Sequence, residues 1–117
     1  MKQKSKNPSL KELEQALGSP YRICNIDMEK CLYRDFGNGF NVEVCGVSRA
    51  DKNGPATLYL WFGTTSPDCL VVKTMKNVGR SAEEIGSAVE ELYKLSEELI
   101  RRGCNDWSSL IRLIYGS

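Results

Sequence analysis

The stretch from Ser81 to Arg102 is the sequence feature that most constrains the fold of this chain. Apolar residues recur in it at the spacing of one helix face. These residues are Ile85, Ala88, Val89, Leu92, Leu95, Leu99 and Ile100. Ser81 followed by Glu84 is typical of a capping box at a helix start, and Gly103 is typical of a helix stop. The stretch therefore predicts one long amphipathic helix, which must bury its apolar stripe against a second layer.

Strand-like segments before this helix can supply the second layer. Four of them are expected at Lys30–Phe36, Phe40–Ser48, Ala56–Phe62 and Cys69–Lys76. Every connection between them is short, which favours an antiparallel meander. The segment from Tyr21 to Glu29 fits either an extended crossing segment or a short strand, and its pattern does not distinguish the two.

The Asn38-Gly39 pair is a strong signal for a hairpin between the first two strands, and two registers compete for it. A two-residue turn places Arg34 opposite Glu43, which makes an exposed charge pair. A three-residue turn places Arg34 opposite Val42 and moves one strand's side chains to the other face. We favour the two-residue turn because of the charge pair.

Two shorter helices complete the expected order of elements. Ser9 and Glu12 repeat the capping box ahead of a helix that ends at Leu17. Asn105 or Asp106 caps a final helix. The expected fold class is α+β: a four-stranded antiparallel β-meander packed against a long C-terminal helix, with short N-terminal and C-terminal helices.

Length and charge indicate one domain preceded by a tail. Residues 1–8 are basic and lack apolar partners, so we expect a flexible tail, with residues 9–117 as a single α+β domain. Sixteen basic against fifteen acidic residues give no strong overall field for nucleic acid. No apolar run is long enough to span a bilayer, so no membrane contact is expected. Five cysteines without a C-x-x-C pair or a secretory signal favour reduced thiols and a cytoplasmic location.

The chain lacks the residues on which common catalytic sites depend. It contains no histidine, which excludes Ser–His and Cys–His nucleophiles and removes the commonest metal ligand. The cysteine spacings match no zinc motif, and no glycine-rich phosphate loop precedes a helix. We therefore assign no catalytic residue, metal ligand or cofactor. An enzyme or small-ligand protein with an unrecognised pocket is kept as the third functional hypothesis.

The acidic side of the long helix is the first candidate contact surface. It comprises Glu83, Glu90, Glu91, Glu97 and Glu98. Such a stripe is typical of a solvated helix face with ion pairs. The alternative is that it docks into a basic groove of a nucleic-acid-binding or host-defence protein. A small cytoplasmic, non-enzymatic interaction domain or inhibitor with a protein partner is the first functional hypothesis.

An aromatic strand face is the second candidate surface. Tyr59 and Trp61 lie on the side of their strand opposite Leu58, Leu60 and Phe62, so they belong either to a second buried face or to an open platform. If that face is open, the platform consists of Tyr33, Tyr59, Trp61 and Lys73, with Arg34 nearby. Unstacked bases can stack on such rings, so single-stranded nucleic-acid binding is the second functional hypothesis.

The final helix carries the third candidate surface. Its apolar residues are Trp107, Leu110, Ile111 and Ile114. They either pack on the domain or form a terminal patch for self-association. The chain is accordingly expected to be a monomer or a homodimer.

Overall fold

The computed structural model describes residues 7–26, 28–49, 54–63 and 69–116. Most of the predicted basic tail, residues 1–6, lies outside them. The elements in chain order are α1 (Leu10–Leu17), β1 (Arg22–Ile26), β2 (Glu29–Asp35), β3 (Phe40–Cys45), β4 (Ala56–Phe62), β5 (Leu70–Val78), α2 (Ala82–Arg101) and α3 (Trp107–Tyr115).

One antiparallel sheet organises the domain. Its five strands lie in the order β1-β2-β3-β4-β5, so each strand pairs with its neighbour in sequence. The α+β class and the meander are confirmed, but the expected count of four strands was wrong. The added strand is β1, in which Ile23 pairs with Leu32 on the apolar side of the sheet. Its five residues, Arg-Ile-Cys-Asn-Ile, are too few to show a clear alternation of apolar and polar positions.

The hairpin between β2 and β3 adopts the three-residue turn. Phe36 N donates to Phe40 O at 3.0 Å across Gly37-Asn38-Gly39, and Arg34 pairs with Val42. The preferred register, with Arg34 opposite Glu43, was therefore wrong. Both glycines have a positive φ, at 77° and 95°, which suits residues without a Cβ. The longer turn places Tyr33 opposite Glu43 and moves Arg34 to the other side of the sheet.

The helices cover one face of the sheet, and the core lies between them. The apolar stripe of α2 faces the core, with Ile85 and Val89 fully inaccessible and Leu95 and Ile100 half-buried. Leu13 from α1 and Leu110 from α3 are also fully buried in the same cluster. The sheet side chains of this core are Leu32, Phe40, Val42, Val44, Ala56, Leu58, Leu60 and Leu70. Burying each large side chain stabilises the fold by about 1.5–3 kcal/mol.

The ends of α2 follow the signals in the sequence. Ser81 Oγ accepts from Glu84 N at 3.0 Å, and a Glu84 carboxylate oxygen accepts from Ser81 N at 3.3 Å. At the other end Gly103 has a φ of 78°, and Cys104 N donates to Leu99 O at 2.7 Å. These contacts satisfy backbone groups that a helix end otherwise leaves unpaired.

The two short helices begin at similar caps. Ser9 and Glu12 form a capping box at α1. Asp106, the second of the two predicted caps, accepts from Ser109 N at 2.8 Å at the start of α3. None of the helices in the described part of the chain is long and apolar enough to cross a lipid bilayer.

The edge strand β5 is irregular. Its pairing with β4 shifts register twice, between Ala56 and Leu58 and between Leu60 and Trp61. Asn77 near the first shift has a φ of 62°. Each shift is a β-bulge, which bends the strand and increases its local twist.

Candidate functional site on the open face of the sheet

We call the side of the sheet opposite the helices the open face. Side chains alternate between the two sides of each strand, so the register assigns every second residue to this face. Its central row runs across all five strands and consists of Arg22, Tyr33, Glu43, Tyr59 and Thr74. Trp61 lies beside this row and pairs with Asn41.

Glu43 is a buried carboxylate at the centre of the open face, with only 6% of its surface exposed. Trp61 Nε1 donates to Glu43 Oε1 at 2.9 Å. The Cys45 thiol lies 2.9 Å from Oε2 and the Cys31 thiol 3.8 Å from it. Donors from three neighbouring side chains thus surround both oxygens, which offsets the cost of removing a charge from water.

Two thiols meet beside this carboxylate. The sulfur atoms of Cys31 and Cys45 are 3.1 Å apart, and Cys31 is fully buried. The hydrogen bond with Cys31, burial and the adjacent Glu43 carboxylate all raise the pKa of the Cys45 thiol. Cys45 is therefore protonated near neutral pH and can donate to Glu43. On the other side Cys24 pairs with Cys31, so three cysteines occupy one row of three strands.

Glu29 brings a second carboxylate to the thiol pair. Its Oε2 accepts from Gly46 N at 2.8 Å, which holds the side chain against the end of β3. The ligand atoms of Glu29, Cys31 and Cys45 all lie within 4.8 Å of one another. These residue types coordinate metal ions when their atoms converge in this way.

A cavity of about 400 Å³ opens on the same face. The described residues that line it are Arg22, Cys24, Asn25, Tyr33, Asn41, Glu43, Trp61, Gly63 and Cys69. The Arg22 guanidinium lies over the Tyr33 ring, 5.1 Å from its centroid. Burial and the nearby Asp35 charge raise the pKa of the Tyr33 phenol, which keeps this ring neutral. The cavity therefore combines two aromatic rings with one cation at its rim.

The structure brings together three of the four predicted aromatic-surface residues. Tyr33, Tyr59 and Trp61 all lie half-buried on the open face. Lys73 does not join them, because it pairs with Leu60 and lies in a groove between β5 and α2. Arg22, which the sequence hypothesis did not include, supplies the cation instead.

Arg34 lies on the helix-covered side and is not available to the aromatic surface. Its Nη1 atom contacts Glu90 Oε2 at 3.3 Å and the Tyr21 hydroxyl at 3.4 Å. The guanidinium also packs over the rings of Tyr21, Phe36 and Tyr93, at 5.2 to 5.8 Å from their centroids. Arg34 thus connects β2 to α2.

Much of the charge on the acidic helix face has partners within the protein. Glu90 pairs with Arg34, and Glu98 pairs with Arg101. Glu97 accepts from the Tyr93 hydroxyl at 2.8 Å, and this hydrogen bond raises the pKa of Tyr93. The face is consequently less acidic toward a partner than its sequence indicates. Its exposed members are Glu83, Glu90, Glu91 and Glu97, whereas Glu98 is half-buried.

The apolar residues predicted for self-association do not form one surface patch. Leu110 is fully buried in the core, and Ile111 and Ile114 are half-buried against it. Trp107 is 45% exposed. The exposed large apolar side chains of α3 are Trp107, Leu113 and Tyr115, and only the first of them belongs to the predicted set.

Comparisons with known proteins identify no relative of this chain. No protein-family model, curated protein or solved structure matches it.

The residues that sequence reasoning missed are Arg22, Glu29, Glu43 and the pair of Cys31 and Cys45. They converge from different strands, so no short motif contains them. The one hint in the sequence was the presence of cysteines at positions 24, 31 and 45. Their positions indicate a shared row on the sheet only if residues 22–26 are recognised as a strand.

Proposed function

We propose that this protein is a non-enzymatic binding domain whose ligand occupies the cavity on the open face. The observation that carries the proposal is the 400 Å³ cavity beside Tyr33, Trp61 and the buried Glu43. Ligand pockets commonly have volumes of about 300–1,000 Å³, with apolar walls and a few placed polar groups. A ligand-binding pocket was the third hypothesis from the sequence, but this cavity lies on the open face of the sheet and uses part of the predicted aromatic surface.

The groups around the cavity favour a planar ring that carries an anionic group. Tyr33 and Trp61 present ring surface for stacking, and the exposed Arg22 offers charge-assisted hydrogen bonds. Protein donors already surround the Glu43 carboxylate, so it acts as a support for Trp61. A nucleotide has this chemistry, either free or at a position in a single-stranded nucleic acid.

Trp61 fluorescence tests the proposal directly. The chain contains two tryptophans, so Trp107→Phe leaves Trp61 as the only reporter. We expect nucleoside monophosphates to change its emission in a saturable way. An additional Arg22→Ala substitution should weaken binding about tenfold, as expected for losing a hydrogen bond to a charged group. Arg112→Ala, an exposed cation on α3, is the matched control.

The source of the nucleotide is resolved by a second titration with a short single-stranded oligonucleotide at two salt concentrations. Binding of the oligonucleotide alone, weakened by salt, indicates a nucleic-acid partner. Comparable binding of the free nucleotide indicates a small-molecule ligand. Unchanged Trp61 emission with both ligands at millimolar concentration contradicts the proposed function.

Docking of the acidic helix face to a basic protein is a second candidate function. It is favoured by Glu83 and Glu91, which are exposed and make no hydrogen bond or ion pair with any residue that the structure describes. The double substitution Glu83→Lys and Glu91→Lys should abolish capture of a basic partner from a cell extract. Gln15→Lys, an exposed change on α1, should leave that capture intact. Equal capture by the parent and the double variant contradicts this function.

We further propose that the protein acts in the cytoplasm. All five cysteines are free, which supports a reducing compartment. Protein unfolded directly from the cell in the presence of an alkylating reagent should carry five alkyl groups per chain, one on each cysteine.

A further inference from the structure

We propose that Glu29, Cys31, Glu43 and Cys45 form a binding site for a divalent metal ion of borderline softness, with Zn²⁺ as the natural occupant. This site lies at the ends of β2 and β3, beside the cavity proposed above. It does not depend on the identity of the cavity ligand. The proposal departs from the sequence expectation of no metal ligand, which was based on spacing along the chain.

The separations of the candidate ligand atoms suit a tetrahedral ion. With Zn–S bonds of about 2.3 Å, neighbouring ligand atoms lie about 3.7 Å apart around the metal. The two sulfurs are 3.1 Å apart, and Glu43 Oε2 lies 2.9 Å from Cys45 Sγ and 3.8 Å from Cys31 Sγ. A ligand atom of Glu29 is within 4.8 Å of both sulfurs. The three edges among Cys31, Cys45 and Glu43 would each change by less than about 1 Å around the ion, and Glu29 would close on it as the fourth ligand.

Each carboxylate is oriented by a donor outside the cluster. Trp61 Nε1 holds Glu43 Oε1, so that Oε2 faces the sulfurs. Gly46 N holds Glu29 Oε2, which leaves the other oxygen for an ion. Such supporting hydrogen bonds are characteristic of metal sites, because they fix the ligands before the ion arrives.

The ligand types select the class of ion. Ca²⁺ and Mg²⁺ require oxygen ligands, and Cu⁺ prefers sulfur, so neither class suits two thiolates with two carboxylates. Zn²⁺ accepts both ligand types. Histidine is absent from the whole chain, so cysteine and carboxylate are its principal zinc-binding side chains.

Binding exchanges protons for the ion without any transfer of electrons. Cys31 and Cys45 each lose a thiol proton to the solvent, and the two thiolates and two carboxylates then coordinate the metal. The positive charge of the ion replaces the two thiol protons that lie beside Glu43 in the metal-free protein. Affinity should therefore increase with pH.

Cobalt is the probe for the experimental test, because Co²⁺ bound to thiolates absorbs in the near ultraviolet. The full chain is first reduced with a phosphine and freed of metal. We expect one Co²⁺ per chain, a thiolate charge-transfer band and its loss when Zn²⁺ is added. Cys31→Ser and Cys45→Ser should each remove most of the band, whereas Cys69→Ser and Cys104→Ser should retain it.

A second variant, Glu29→Gln, tests the site if a cysteine variant fails to fold. Glu29 is only half-buried, at the start of β2, so this isosteric change should leave the fold intact. It should lower the Co²⁺ affinity at least about tenfold while both sulfurs continue to give the band. The absence of a band in the reduced parent overturns the proposal. An unchanged band in Cys31→Ser, or unchanged affinity in Glu29→Gln, also overturns it.

Discussion

The two faces of β3 are both largely buried, but different forces bury them. On the helix side, Phe40, Val42 and Val44 are fully inaccessible and purely apolar. On the open face, Asn41 and Glu43 are 4% and 6% exposed although they are polar. The covered face is held by apolar area, and the open face by hydrogen bonds among neighbouring side chains.

This difference shows that burial alone does not identify the hydrophobic core. Apolar contacts are non-directional, so the covered face should respond mainly to changes in side-chain volume. A buried hydrogen-bonded group depends on the position of its partner, so the open face should respond to the loss of single atoms. Pairs of substitutions on the same strand can separate the two behaviours.

Truncation of Leu58 should give the largest effect. Leu58 is fully buried on the covered face of β4, so Leu58→Ala should lower the free energy of unfolding by about 2–5 kcal/mol. Its neighbour Thr57 is half-buried on the opposite side, and Thr57→Ala should cost less than about 1 kcal/mol. Urea unfolding followed by circular dichroism measures both values. Similar losses for the two variants would mean that the faces do not differ as described.

Removal of one donor atom should give the next largest effect. Trp61→Phe keeps an aromatic ring but removes the Nε1 donor that lies 2.9 Å from Glu43. We expect a loss of about 1–3 kcal/mol, because a buried carboxylate oxygen then lacks its partner. The matched change Trp107→Phe, on exposed surface, should cost no more than about 0.5 kcal/mol. Equal free energies of unfolding for the two variants in urea would show that the Trp61–Glu43 hydrogen bond does not stabilise the fold.

Arg34 combines both kinds of interaction, because it is a charge packed among aromatic rings on the covered face. Arg34→Met should lower the free energy of unfolding by about 1–2 kcal/mol through lost contact with three rings and Glu90. A double-mutant cycle with Glu90→Gln should assign less than about 1 kcal/mol to the ion pair, since Glu90 is exposed. A larger coupling energy would show that charge pairing contributes more than ring packing.

The cap of α3 should give the smallest effect, and it should depend on pH. The hydrogen bonds from Ser109 lower the pKa of Asp106 in the folded protein. A lowered pKa stabilises the fold above the unfolded value of about 3.9, and this contribution is lost as the pH falls through the folded value. Asp106→Asn should therefore be slightly less stable than the parent at neutral pH, and the difference should shrink under acidic conditions. A difference that is constant from pH 7 to pH 3 would contradict this assignment.

The covered side of the molecule could be predicted from the sequence because its signals are local. The stripe of α2 and the Ser81–Glu84 box lie within a few helical turns, so spacing alone defines them. The same holds for α1, which begins at the predicted Ser9 cap. Three helices and one apolar sheet face followed from these patterns.

Only part of the open face could be predicted. Alternation along β4 places Tyr59 and Trp61 on one side, but what β2 contributes depends on register. A one-residue difference at Gly37-Asn38-Gly39 decides whether Tyr33 or Arg34 lies opposite Glu43. The charge pair that favoured the wrong register was worth less than about 1 kcal/mol. Gly37 and Gly39 accommodate the longer turn with positive φ, and the resulting register buries Leu32 in the core. The contact between Cys31 and Cys45 follows from that register and has no signature along the chain.

The two bulges in β5 also affect how copies of this chain behave at high concentration. Among the described residues no strand pairs with the outer edge of β5, and a flat unpaired edge can template the addition of a strand from another molecule. The bulges interrupt the regular spacing of its backbone groups, and Lys73 and Lys76 place exposed charge along it. This edge is therefore protected against the strand-to-strand stacking that leads to fibrils.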